Sequence, residues 1–129
     1  MSRVFKTRAF ASQIKKSGLT DAALCKAVAE MQRGLIDADL GGGVVKKRVA
    51  LPGGGKSGGA RTLLATNRGS RWFFVFGFNK NERANISTVE LEALKLLAAN
   101  LLGLREPDLQ RLIETDGLTE ICHDQENTR

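Results

Sequence analysis

Basic residues in the middle of this 129-residue chain have the types and spacing that phosphodiester chemistry requires. Between Lys46 and Arg83 there are nine lysines and arginines and a single acid, Glu82. This density of charge indicates a surface for a polyanion, with a solvated basic face as the alternative. Arginine stabilises charge on a phosphate through a fixed fork of donors, and lysine can move a proton when neighbouring cations lower its pKa.

Period-two alternation along three predicted strands places part of this charge on one face. The strands span Val44–Leu51, Ala60–Thr66 and Arg71–Phe78, and "TNRGSR" predicts a tight hairpin between the last two. We expect five cations to converge near one edge of the sheet: Lys46, Arg48, Arg61, Lys80 and Arg83. Lys47 and Arg71 point elsewhere and are predicted to be solvated surface charges.

The third strand carries the aromatic residues. Alternation predicts that Trp72, Phe74, Phe76 and Phe78 share one face. The first three are interpreted as core, whereas Phe78 lies beside the cations and is free to stack on a base.

The stretch "ALPGGGKSGGAR", residues 50–61, matches a loose nucleotide-loop pattern. A working loop of that kind is followed by a helix, but the residues after Ser57 predict a strand, so we expect no nucleotide cofactor. We interpret the glycines as a cationic flap that carries Lys56 to a phosphate backbone, with a hairpin loop of no function as the alternative.

Capping residues and helical spacing predict the elements around these strands. An edge strand at Arg3–Lys6 precedes a helix that begins at Thr7 and ends at Gly18. A second helix begins at Thr20 and buries one stripe: Leu24, Val28, Met31 and Leu35.

Two helices are predicted toward the end of the chain. Ser87 and Glu90 form a capping box for a helix that Gly103 ends, and Pro107 begins a short helix before Gly117. The order of elements predicts an α+β fold with a small, mostly antiparallel sheet, helices on one face and a partly open second face.

The two cysteines, Cys25 and Cys122, lie far apart in the sequence. The chain has no apolar run of the ~20 residues that cross a bilayer, and its N-terminus does not resemble a signal peptide. We therefore expect a cytoplasmic protein that contacts no membrane, with reduced thiols and no metal site.

The segments "GGGVVKKRVALPGGGKSGGARTLLA" and "RWFFVFGFNKNERANIS" resemble the RelE/HigB group of bacterial type II toxins, in the RelE/ParE superfamily. The resemblance covers about Arg3 to Gly103. It implies two N-terminal helices, a curved antiparallel sheet and a C-terminal helix. Residues 1–103 would form the toxin domain, and residues 104–129 an acidic C-terminal helical extension of that domain.

The resemblance also implies a function and its site. Relatives of this group are mRNA endoribonucleases, often acting on the ribosome, that an antitoxin encoded beside them inactivates; we expect that antitoxin to be a helix-turn-helix protein. By position, Arg61, Lys80 and Arg83 would be catalytic. The RNA-binding residues would be Lys46, Arg48, Lys56 and Phe78.

One departure keeps two alternatives open. Many relatives place a tyrosine in the site, but this chain has none, and Phe78 can stack without exchanging a proton. The alternatives are a ParE-like gyrase poison on the same fold and a catalytically silent nucleic-acid-binding member.

Overall fold

A computed structural model describes residues 2–51 and 59–123. It has the predicted α+β fold, in which two pairs of helices flank a run of four consecutive strands. The elements are β1 (Arg3–Thr7), α1 (Arg8–Gln13), α2 (Asp21–Gln32), β2 (Ala38–Gly41), β3 (Val44–Val49), β4 (Ala60–Thr66), β5 (Arg71–Asn79), α3 (Thr88–Leu102), α4 (Glu106–Glu114) and β6 (Leu118–Ile121). Within the described ranges, no helix is long and apolar enough to cross a bilayer.

The strands form one sheet in the order β2-β3-β4-β5-β1-β6, antiparallel except where β1 runs parallel to β5. The prediction of an edge strand at Arg3–Lys6 is therefore wrong. β1 lies inside the sheet because β6, which the sequence pattern did not predict, pairs with its outer side. β2 was missed as well, since its Asp and Gly residues have low strand propensity and it forms by pairing with β3.

Both faces of the sheet are covered, so the expected partly open face is wrong. Side chains such as Phe10, Leu24 and Trp72 form one core beneath α1 and α2. Phe73 and Leu94 belong to a second core beneath α3 and α4. Successive strand residues alternate between these cores, which explains why β4 and β5 are buried at nearly every position.

A bulge in β5 changes which aromatic side chains share a face. Leu63 pairs with Phe76, but the next residue, Leu64, pairs with Phe74, so Val75 is an extra residue in β5. Phe74 packs beneath α1 and α2, whereas Phe76 and Phe78 join the second core. The prediction that Trp72, Phe74, Phe76 and Phe78 share one face is wrong for this reason.

The predicted helix starts are confirmed. Thr7 accepts a hydrogen bond from Phe10 N, and Thr20 accepts one from Ala23 N, both over 3.1 Å. Ser87 and Glu90 form the predicted capping box at the start of α3.

The end of α2 departs from the predicted stripe. Gly34 adopts a φ of +94°, which ends the helix, and Leu35 is left 54% exposed. Leu24, Val28 and Met31 are buried as predicted.

Cys25 and Cys122 are joined by a disulfide, so the expectation of reduced thiols is wrong. The return of the chain through β6 brings Cys122 to α2, with 5.6 Å between the two Cα atoms. Ninety-seven residues separate the cysteines in sequence, so spacing alone gave no sign of this proximity.

The disulfide closes a long loop, and we expect its reduction to destabilise the fold by about 2–4 kcal/mol because the unfolded chain regains conformational entropy. Urea unfolding with and without a dithiol reductant measures the change. The double variant Cys25→Ala/Cys122→Ala is the control and should not respond to reductant. Equal stability of the oxidised and reduced wild-type protein would contradict the prediction.

Candidate nucleic-acid interface

Three of the predicted site cations line one open hollow of about 380 Å³ at the β3–β4 side of the sheet. Lys46 and Arg48 come from β3, and Arg61 comes from β4. Ala84, in the segment before α3, forms part of the wall. We call this cavity the basic hollow.

The register of β3 and β4 places Arg48 directly opposite Arg61. Arg48 is exposed, whereas Arg61 is partly buried, and its NH1 atom is buried without a hydrogen-bond partner among the described residues. Like charges directly opposite each other destabilise a sheet, and a buried guanidinium N–H requires an acceptor. An anion bound between Arg48 and Arg61 would offset the repulsion between their charges and would provide a hydrogen-bond acceptor for Arg61.

Asp37 is the acid that lines the basic hollow, and sequence reasoning missed it. Its Oδ2 accepts a hydrogen bond from Arg48 N over 2.6 Å, and its own N–H donates to Lys46 O over 3.0 Å. Asp37 thus provides hydrogen-bond partners for backbone groups of β3 just before β2 begins. The sequence does contain the acid, in the segment "DAD" (residues 37–39), but its role could not be predicted because strand β2 was not predicted.

Arg83 follows β5 and is held in place by α3. Its NH1 donates to Glu90 Oε2 over 3.0 Å, its NH2 also bonds Glu90, and its Nε donates to Asn85 O over 3.1 Å. These bonds raise the pKa of Arg83 and lower the pKa of Glu90 to about 2, with help from the Ser87 backbone N–H. The guanidinium group also has N–H donors that these bonds do not use.

Phe78 pairs with Arg61 across β4 and β5, and its ring packs in the second core with 6% of its surface exposed. The Arg83 guanidinium lies 5.2 Å from its ring centroid. Phe78 therefore lies beneath the Arg83 guanidinium, and a base would reach its ring only if Arg83 moved.

The last two predicted site residues lie apart from the basic hollow or outside the described chain. Lys80 is exposed in the turn after β5, where its backbone N–H donates to Gly59 O over 3.3 Å. Lys56 lies in residues 52–58, outside the described residues. Strand β4 begins at Ala60, soon after that segment, as predicted, whereas a nucleotide loop would be followed by a helix.

Two cations outside the predicted site are not the solvated charges we expected. Lys47 is 7% exposed and bonds Glu30 Oε1 over 3.0 Å and Leu35 O over 2.9 Å. Arg71 donates to Leu104 O over 2.6 Å and so binds the end of α3. Both were misjudged because α2 and α3 cover the strand faces on which they lie.

Within residues 2–51 and 59–123, no group of three or more His, Cys, Asp or Glu side chains is placed to hold an ion.

The fold and the basic hollow define a small α+β protein with a cationic site on its sheet. Residues 2–121 match the family described as "RelE toxin of RelE / RelB toxin-antitoxin system". The match spans all six strands, and the chain belongs to this family. No individual curated protein matches the sequence.

The Arg83–Glu90 pair predicts a pH-dependent contribution to stability. The pKa of Glu90 falls from 4.5 to about 2 on folding, so its contribution is complete above pH 4.5 and is lost as the pH falls toward 2. Urea unfolding should show Glu90→Gln less stable than wild type at pH 7, with the difference shrinking between pH 4.5 and 2.

Glu92→Gln, on the exposed side of the same helix, is the matched control and should stay close to wild type. A constant difference between wild type and Glu90→Gln across this pH range would contradict the assignment.

Proposed function

We propose that this chain is a metal-independent endoribonuclease that cleaves mRNA, bound to the ribosome, and so inhibits translation. One observation carries the proposal: in a member of a toxin family, Lys46, Arg48 and Arg61 line a single open hollow. Three cations against one carboxylate favour a phosphate over any neutral ligand.

Metal-independent cleavage of RNA requires the ribose 2′-oxygen to attack the adjacent phosphorus. The 2′-hydroxyl gives up its proton to a base as the new O–P bond forms, the bond from phosphorus to the 5′-oxygen breaks, and that oxygen takes up a proton from an acid. The products are a 2′,3′-cyclic phosphate and a 5′-hydroxyl. The transition state carries extra negative charge on the phosphorane, which preorganised cations stabilise.

We assign a role to each of the side chains. Arg61 lines the basic hollow, and its buried NH1 atom has no hydrogen-bond partner among the described residues, so we assign Arg61 to the phosphorane charge. Lys46 and Arg48 hold the RNA backbone, and Arg83 approaches the phosphate with the donors that Glu90 does not occupy. Lys80, exposed in the turn after β5, is the proposed proton donor or base.

The proposed partners are mRNA on the ribosome and a cognate antitoxin. The family pairs its toxins with RelB antitoxins, and here we propose an adjacently encoded helix-turn-helix protein. The net charge of +6 suits both the ribosome and an acidic inhibitor.

We expect Arg61→Ala and Lys80→Ala to lower the cleavage rate on ribosome-bound mRNA by roughly 10²-fold or more, with ribosome binding retained. Arg61→Lys and Lys80→Arg should also be slow, because the first loses the forked donor and the second cannot release a proton near neutral pH. Single-turnover cleavage of ribosome-bound mRNA, with ribosome co-sedimentation, provides the measurement.

Arg111→Ala and Lys15→Ala are the matched controls, since both residues are exposed and lie away from the basic hollow. Parental cleavage rates in both Arg61→Ala and Lys80→Ala would show that the site is misplaced. Lys56→Ala should mainly weaken association with the RNA. The slope of log affinity against log salt concentration should become shallower by about one unit.

We also expect induced expression in a bacterium that lacks the antitoxin to arrest growth and translation. Pulse labelling of protein and DNA synthesis distinguishes the candidates, because a gyrase poison would stop DNA synthesis first. Normal growth with abundant soluble protein would refute the toxin activity and leave a silent nucleic-acid-binding protein.

A further inference from the structure

A second hollow, of about 580 Å³, lies between α2 and the end of β3. It opens on the sheet face opposite the basic hollow, beneath α2. Asp37 and Arg48 line both cavities, so the two meet at the uncovered edge of β3. We call this second cavity the α2–β3 hollow.

Small apolar side chains form the walls of the α2–β3 hollow. Ala23 and Ala27 come from α2, and Val49 and Ala50 lie across from them at the end of β3. A larger residue at either alanine of α2 would fill part of this space. The cavity is within the size range of pockets that hold small organic groups, and a flat ring system suits such walls.

Polar groups lie at the rim of the same hollow. Lys47 is buried and fixes Glu30 through the 3.0 Å ion pair, while Lys26 is exposed on the next turn of α2. A carboxylate held by a buried lysine is preorganised, so it can accept hydrogen bonds without losing side-chain freedom on binding. The hollow therefore combines apolar walls with a carboxylate and an ammonium group at its edge.

We propose that the α2–β3 hollow binds the base of a nucleotide that flanks the phosphate in the basic hollow. The inference rests on the proposed RNA substrate. An RNA strand whose phosphate lies at Arg48 must carry its neighbouring base to one side of β3. The α2–β3 hollow begins at Arg48 as well.

The rim predicts which bases are accepted. The carboxylate of Glu30 accepts hydrogen bonds from base amino and imino groups and repels carbonyl oxygens. Uracil presents two carbonyl oxygens on either side of a single N–H, so it is the least favoured base.

The first test measures binding without cleavage. A short 2′-O-methyl RNA, which lacks the attacking hydroxyl, is bound by wild type, Ala23→Leu and Ala22→Leu, with each base removed in turn. Ala22 is exposed on the same helix and does not line the hollow, which makes it a matched control. Fluorescence anisotropy gives the dissociation constants, and circular dichroism checks that the variants fold.

We expect removal of one particular base to weaken wild-type binding about tenfold, which corresponds to about 1.4 kcal/mol of binding free energy. Ala23→Leu should bind the intact RNA about tenfold more weakly and lose nothing further when that base is removed. Ala22→Leu should behave as wild type.

The second test exchanges the four bases at that position. Wild type should bind uracil most weakly, and Glu30→Gln should reduce this discrimination, because an amide can also donate to a carbonyl oxygen. Unchanged discrimination in Glu30→Gln would overturn the role of the carboxylate.

Three outcomes would overturn the proposal as a whole: no base whose removal weakens binding, equal behaviour of Ala23→Leu and Ala22→Leu, or no binding of RNA by wild type. The proposed nuclease activity is judged separately. If wild type cleaves no RNA but the base removal and Ala23→Leu remain coupled, the base site stands and the nuclease function fails.

Discussion

Arg48 and Arg61 face each other across β3 and β4, and the site depends on this pairing. Like charges at paired positions destabilise a sheet by ~0.2–1 kcal/mol, so the pair is maintained by the rest of the two strands. Farther along the same register, Val45 pairs with Leu64 and packs in the core beneath α2. A shift by one residue would bury the arginines and expose that core, and the hydrophobic pattern therefore fixes the position of the charges.

The bulge in β5 connects this site to α3. It turns Phe78 toward the second core, where Phe78 pairs with Arg61 and lies beneath the Arg83 guanidinium. Arg83 in turn bonds Glu90, whose other contact caps α3 at Ser87. The start of α3 and the position of one site arginine are thus set by the same carboxylate, which also explains why the pKa of Glu90 is so low.

Much of this arrangement follows from local patterns in the sequence. Alternation along β3 and β4 predicted that Lys46, Arg48 and Arg61 share a face, and the structure places all three around one hollow. The helix starts at Thr7, Thr20 and Ser87 were readable because a capping side chain acts on residues only two or three positions away. Asp37 was missed because its role depends on β2, a strand that exists through its partner and has a weak pattern of its own.

Local patterns and composition predicted the α+β class, the helix caps and the concentration of positive charge, since each depends on neighbouring residues or on residue content. The family was indicated by the resemblance of two segments. Tertiary structure decided the rest. It placed β1 inside the sheet, joined Cys25 to Cys122, and covered Lys47 and Arg71 with helices. These features arise from contacts between residues far apart in the chain. The free energy of such contacts depends on which faces of the helices and strands are buried against each other, and a local sequence pattern does not contain that information.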